Sequence, residues 1–329
     1  MRLVQFETTG GARRVGVPED GALRVVAGAE RVRDLALEAA RTGAALADLV
    51  SGRLGDAAED YDRALAERRV LVPVDHPDPA HCLVTGTGLS HLGSAQARDE
   101  MHAKLASGAE LSDSMKMFRA GLEGGKPPPG KIGAAPEWFY KGDGGALVAC
   151  GRPLESPGFA LDGGEEAEIA GIYVIDDAGR PRRIGFALAN EFSDHVLERQ
   201  NYLLLAHSKL RPCALGPELL LGELPASVAG SVRVLRGDRE LWRAELLSGE
   251  DNMSHSLANL EHHHFRYRAF RRPGDLHVHF FGAGVLSVQA GVRAEDGDVF
   301  EISADGFGRA LRNPIRVQAD NPLVDVAPL

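Results

Sequence analysis

Cysteine is scarce in this chain and poorly spaced for chemistry. Cys82, Cys150 and Cys213 are odd in number, scattered, and never in C-x-x-C spacing. That argues against both a disulfide framework and a thiolate metal site. No apolar run approaches the length of a membrane span. The opening Met1-Arg2-Leu3-Val4-Gln5-Phe6 lacks the apolar h-region of a signal peptide, so the cytoplasm is the expected address and no membrane partner is expected. Basic charge is also short, with 37 Lys and Arg against 47 Asp and Glu and a net charge of -10. A nucleic-acid partner is therefore not expected, because phosphate binding calls for a basic face. An anionic substrate stays open, since a bound divalent cation can invert the local sign. No internal repeat or low-complexity tract is visible.

What is present fits a soluble globular protein. The 44% hydrophobic and 26% charged content of the 329 residues is ordinary for that class, and the length allows one large domain with a smaller appendage. Residues 1–78 read as a small α+β unit, with strands over 2–7 and 13–17, Ala-rich helices around 31–41 and 57–67, and a strand over 70–74. A second unit, 79–329, opens with a buried strand at Cys82-Leu83-Val84-Thr85-Gly86 entering a Gly-rich loop, followed by a helix over 95–104. Residues 121–135, with Pro127-Pro128-Pro129-Gly130 at their centre, read as an ordered loop or lid in which no helix survives. From Gly163 onward, short strands alternate with turn signals such as Asp177-Ala178-Gly179, Pro273-Gly274-Asp275 and Asp296-Gly297-Asp298. That spacing predicts a mostly antiparallel, β-rich domain. The expected class is α+β, mostly β.

The chemistry concentrates between Glu165 and Pro217. Glu166 and Glu168 are two apart on an extended segment, so both side chains share one sheet face. A solvated edge strand would explain a lone E-x-E, but the following Ile169-Ala170-Gly171-Ile172-Tyr173-Val174-Ile175 is apolar on both faces and leads into a core. Two like charges at its mouth then call for a cation. Glu191 ends a second buried segment, Gly185-Phe186-Ala187-Leu188-Ala189-Asn190. Three oxygen donors favour Mg²⁺ or Mn²⁺ over zinc.

Lys209 and Lys141 both lie in apolar company. Each can snorkel to the surface, pin a substrate carboxylate, or act as a base if its pKa is lowered. Consecutive helical residues fan out by about 100°, so His262, His263 and His264 cannot close on one ion and are expected at the surface or in packing. His277 and His279 share a strand face and are read as structural ahead of ligating. His91, on the Gly-rich loop, is the histidine best placed for a pocket, while His102 is read as solvated.

With these residues in place, the chain resembles the fumarylacetoacetate hydrolase superfamily over about residues 80–315. The family's E-x-E pair matches Glu166 and Glu168, and its G-[YF]-x-x-x-N-D segment matches Gly185 to Glu191. Its lysine and G-P dipeptide match Lys209 and Gly216-Pro217. The N-T/S segment matches Asn252-Met253-Ser254, the P-G-D turn matches Pro273-Gly274-Asp275, and the F-x-K element matches Phe139-Tyr140-Lys141. Two departures stand out. Glu191 replaces the usual Asp, lengthening that ligand by one methylene. His279-Phe280-Phe281-Gly282-Ala283-Gly284 replaces T-G-T-P-x-G, removing a hydroxyl expected to touch substrate.

The resemblance implies a mixed β-sandwich roll with a small N-terminal α+β domain, usually assembled as a homodimer. Within the family, the chain is most similar to the sugar-acid branch, including 2-keto-3-deoxy-pentonate dehydratases of arabinose and xylose catabolism. The implied activity is Mg²⁺-dependent dehydration of a small anionic 2-keto acid to 2-oxoglutarate semialdehyde. Glu166, Glu168 and Glu191 would hold the metal. Lys209 would be the base, His91 the proton donor, and Lys141 would orient substrate, with contacts from Ser90, Asn190, Ser254, Gly282 and Ala283. Hydrolysis of a 2,4-diketo acid on the same platform is the alternative. It would need a His-Glu pair from His91, Glu100 and His102, none of which has the family's H-x-x-E spacing. A non-catalytic sugar-acid-binding regulator is the alternative of another class.

Overall fold

The computed structural model describes residues 1–92 and 111–329, so the helix expected over 95–104, with Glu100 and His102, lies outside the described residues. The N-terminal segment forms a meander of β1 (Arg2–Glu7), β2 (Arg13–Glu19) and β3 (Ala22–Val26). There follow α1 (Val32–Thr42), α2 (Leu46–Ser51), β4 (Leu54–Asp60) and α3 (Tyr61–Ala66). Two expectations need correction here. Residues 57–60 belong to β4, which pairs with β3, and the helix starts only at Tyr61, where the Asp60 side chain caps it by accepting from Arg63 N at 2.8 Å. Residues 70–74 pair by backbone only through a bridge from Val70 to Phe6 and a bond from Leu71 N to Gln5 O, with Val72 O accepting from the Gln5 side chain at 2.7 Å, because Pro73 has no N–H with which to continue a ladder.

Next come β5 (Cys82–Gly86), α4 (Asp113–Gly124), β6 (Phe139–Asp143), β7 (Leu147–Val148) and β8 (Leu154–Ser156). Helix α4 runs into the segment read as loop. Its Ser112 cap starts it, and the first proline lies only at Pro127, three residues beyond its end. The central hairpin is β9 (Ala167–Ile175) and β10 (Pro181–Asn190), joined by a turn in which Asp176 Oδ1 accepts from Ala178 N and Arg180 N. Every residue of β9 is buried, as expected of a strand covered on both faces. The remainder comprises α5 (His195–Gln200), α6 (Leu205–Lys209), β11 (Cys213–Leu221), β12 (Val228–Arg236), β13 (Arg239–Ser248), α7 (Leu257–Phe265), β14 (Leu276–Phe280), β15 (Val299–Ala304) and β16 (Leu311–Val317).

These strands form an eleven-stranded sheet, ordered β4-β3-β2-β1-β11-β10-β9-β14-β5-β6 with β7 on β11, and a five-stranded sheet ordered β13-β12-β15-β16-β8. The class is α+β, mostly β. On one face of the large sheet, Ala170, Ile172, Val174, Val278 and Phe280 pack with Val32, Leu35 and Ala36 of α1. On the other face, Ile169, Phe186 and Leu188 meet Val232, Val234, Phe300 and Ile302 of the small sheet. A fully buried side chain of this size contributes roughly 1.5–3 kcal/mol. The alternation along β9 therefore fixes its register and, with it, the direction in which Glu168 points.

Candidate active site

The β9–β10 hairpin continues past its strands as an irregular ladder. Glu191 N donates to Glu166 O at 2.9 Å, and Gly164 and Ser193 exchange backbone bonds of 3.0 and 3.1 Å. This brings the ends of two strands, and three acids, to one place. Ligand oxygens of Glu166, Glu168 and Glu191 lie within 4.8 Å of one another, and all three residues are buried. Asn190 supports the pairing through its Oδ1, which accepts from Glu166 N at 3.2 Å.

Two buried lysines face the trio. Lys209 Nζ bonds Glu166 Oε1, lies 3.2 Å from Glu191 Oε2, and rests 5.0 Å from the centre of the Phe139 ring. Lys141, with a fully buried side chain, reaches Glu191 Oε1 at 3.0 Å and donates to the carbonyls of Phe192 and Lys209. Neither lysine snorkels. Burial alone lowers a lysine's pKa, but the Glu166 and Glu191 charges outweigh it and hold Lys209 well above its ordinary range. A role for Lys209 as base would need the opposite shift.

The acids respond in opposite directions. Burial pushes Glu166 up, yet the Lys209 charge and the His195 contact bring it well below the usual carboxylate range. Burial and the Glu191 and Glu166 charges push Glu168 well above it. Burial also raises Glu191, against the pull of Lys209. The protein holds Glu166 at Oε1 by Lys209 and His195, Glu191 at Oε1 by Lys141 and Ser193 and at Oε2 by Lys209, and Glu168 at Oε2 by Gly282 N at 2.6 Å. Glu168 Oε1 is buried with no hydrogen-bond partner among the described residues. An orphaned carboxylate oxygen in an all-oxygen donor set fits a hard divalent cation, which would relieve the repulsion that raises Glu168.

The other sequence candidates divide. Ser90, His91, Ser254 and Gly282 form a knot behind Glu168. Ser90 Oγ donates to Phe281 O, Ser254 N donates to Ser90 O at 2.7 Å, and His91 Nε2 pairs with Ser248 Oγ at 2.9 Å. Gly282 has a positive φ of 95°, and a Cβ there would strike Ser90 Oγ. Ala283 follows it, half-buried. His91 makes no hydrogen bond to the acids or lysines, and burial lowers its pKa to about 4. This neutral imidazole is a poor proton donor, and the role expected for His91 is corrected accordingly. His277 and His279 are structural. They lie on the β14 face opposite that of Glu168, with His277 Nδ1 2.9 Å from His264 Nε2 and the His279 ring stacked on that of His264.

Several residues were missed. His195 Nε2 lies 3.0 Å from Glu166 Oε1, and its Nδ1 lies 3.8 Å from Asp162. Burial lowers its pKa, but the two carboxylates raise it further, to about 9. Glu137 accepts from Tyr202 OH at 3.1 Å and packs against Gly88, where any Cβ would strike its carboxylate. Burial raises its pKa to about 7, against the pull of the Lys209 charge. Glu198 lies 3.8 Å from Lys209 Nζ. A usable sequence signal existed for Glu137, which precedes Phe139 and Lys141 at the same two-residue period.

The sequence matches no family model and no curated protein. Solved structures do match. A 2-keto-3-deoxy-D-arabinonate dehydratase in its apo form superposes with a TM-score of 0.71 at 18% identity, covering 97% of this chain and 99% of the other. The same dehydratase complexed with magnesium and 2,5-dioxopentanoate gives a TM-score of 0.70 at 19% identity, with 97% and 100% covered. A 5-carboxymethyl-2-hydroxymuconate delta-isomerase from Mycobacterium smegmatis follows with a TM-score of 0.58 at 16% identity, with 97% and 100% covered. The chain thus shares its fold, over nearly its whole length, with a sugar-acid dehydratase and with an isomerase. The resemblance read from the motifs holds at the level of the fold.

Proposed function

We propose that this chain is a divalent-metal-dependent dehydratase of the fumarylacetoacetate hydrolase superfamily, converting a 2-keto-3-deoxy-pentonate to 2-oxoglutarate semialdehyde. The observation that carries the reading is the buried trio of Glu166, Glu168 and Glu191, with the unpartnered Glu168 Oε1, set against two buried lysines. Mg²⁺ held there would act as a Lewis acid on the 2-keto oxygen and make the C3 proton acidic, a contribution of several kcal/mol.

The chain's own residues supply the rest. Lys209 would hold the substrate's carboxylate end; Lys141, whose three N–H groups are taken by Glu191 and two carbonyls, would balance the acids; and Asn190, whose buried Nδ2 lacks a partner among the described residues, would donate to the substrate. Glu137 is the group suited to proton transfer. A carboxyl with a pKa near 7 is ionised often enough to take the C3 proton and acidic enough to return it to the departing C4 hydroxyl as water. Elimination leaves a double bond between C3 and C4, conjugated with the 2-keto group; loss of a C5 proton and protonation at C3 move it to C4 and C5, and the resulting enol tautomerises to the aldehyde, so one water is lost overall and no co-reactant is needed.

Glu137 and Glu198 also favour this substrate class. Both flank Lys209, so a second carboxylate on the substrate would meet like charge, whereas a hydroxyl-bearing tail would find acceptors. Pentose catabolism and a homodimeric assembly belong to the same proposal. The test is turnover of D- and L-2-keto-3-deoxy-pentonates beside a 2,4-diketo acid, each with Mg²⁺. Aldehyde from a pentonate supports the dehydratase. Pyruvate released from the diketo acid would put hydrolysis in its place, and tight binding without turnover would point to the regulator.

A further inference from the structure

Glu166 carries an unusual load for a cation ligand. Its Oε1 meets both Lys209 Nζ and His195 Nε2, and no described residue bonds its Oε2. Whatever fixes Oε1 therefore decides where Oε2 points. Lys209 is a flexible ammonium shared with Glu191 and Glu198, so it fixes the carboxylate's position but not its rotation. His195 is rigid. It opens α5 next to Asp194, which caps that helix by accepting from Leu197 N at 2.9 Å and is itself locked by Arg211 at 3.0 Å, both buried. The imidazole lies directly on the backbone of Gly164, where a Cβ would come within 2.5 Å of Nδ1. Behind it, Asp162 Oδ2 and His195 Nδ1 are buried, 3.8 Å apart, and without a hydrogen-bond partner among the described residues. A shift of roughly 1 Å would make them a hydrogen bond.

We propose that Asp162 and His195 are a positioning pair that orients Glu166, turning its Oε2 toward a divalent cation held with Glu168 and Glu191. The proposal rests on the metal-site reading above. Neither residue touches substrate. A carboxylate behind an imidazole, aimed at a third group, is a common way of stiffening a metal ligand, and loss of such a partner typically costs 10- to 100-fold in affinity. Gly164 belongs to the device, because only a residue without Cβ leaves the ring its place beside Glu166.

The test is calorimetric titration of the full chain with Mn²⁺, in parallel with thermal melting of the cation-free proteins. His195→Leu is expected to weaken Mn²⁺ binding by about 10- to 100-fold. His195→Gln, which keeps a donor near the Nε2 position, is expected to stay within about threefold of the parent. Gly164→Ala, which displaces the ring without removing it, should reproduce the loss, and it carries the test if the leucine variant fails to fold. Glu168→Gln separates the two layers of the argument. If it abolishes binding while His195→Leu and Gly164→Ala bind as the parent does, the positioning pair is overturned and the metal site stands. Parent-like binding by Glu168→Gln would overturn the metal site itself.

Discussion

At the scale of the residue, the site separates acids of similar sequence setting into different states. Glu166 is held ionised by Lys209 and His195, while Glu168, with only Gly282 N as donor among the described residues, is pushed well above the usual range by burial and by its neighbours. Glu137 sits between them, raised to about 7 by burial. If Glu137 is the base, its carboxylate form is the active one, so kcat/KM should climb as pH rises through about 7. Glu137→Gln should lower kcat by about 10²- to 10⁴-fold, the usual worth of a positioned acid-base group. A pH-rate profile on parent and variant checks both points. A parent limb that survives unchanged in the variant would remove Glu137 from the proton transfer.

At the scale of the element, the strands made the acids legible. Period-two alternation and the apolar run after Glu168 announced a buried strand with carboxylates at its mouth, and the Asn190-Glu191 strand end repeated the message. His195, Asp162 and Glu198 were not legible, because their partners are set by the path of the chain after the strand ends. His195 meets Glu166 from 29 positions away across a helix start that no spacing encodes. His91 misled for the complementary reason: a Gly-rich loop can aim a side chain either way, and here it turns toward Ser248. The loop at Gly282 carries its own prediction. Its φ of 95° and its contact with Ser90 leave no room for a Cβ, so Gly282→Ala should cost more than about 1 kcal/mol of stability. The same change should shift the N–H that holds Glu168, weakening Mn²⁺ binding. Denaturant melts and Mn²⁺ titration report the two effects, and a variant with parent stability would contradict the role given to this loop.

At the scale of the whole molecule, we propose residues 1–78 and 79–329 as the units of organisation, joined through the large sheet. β1 pairs with β11 in the register Arg2 to Leu220 and Leu3 to Leu219, and α1 covers Ala170, Ile172 and Val174. Residues 79–329 alone would expose that face and an open strand edge, and should aggregate or melt well below the full chain. A soluble fragment with the parent Tm would contradict this.

Buried histidines add an acid sensitivity. Burial lowers His91 and His255 to about 4 and His277 and His279 to about 3, and pushes His264 down as well. Their folded pKa values lie below the unfolded value of about 6.5, so the unfolded chain binds more protons in that window. Their contribution is intact above about pH 6.5 and is lost as pH falls toward 4 and 3, reaching roughly 2 kcal/mol per independent histidine at pH 5. Urea melts at pH 7 and pH 5 measure the loss. Equal stability at both values would mean that these rings are not held neutral.

The central claim is that the acidic trio binds a divalent cation and that dehydration depends on it. The most direct measurement is NMR of the products formed from 2-keto-3-deoxy-pentonate by the metal-stripped protein, by the same protein with Mg²⁺ restored, and by Glu168→Gln with Mg²⁺. 2-Oxoglutarate semialdehyde is expected only from the restored parent. Equal turnover by the stripped protein, or by Glu168→Gln, would contradict it.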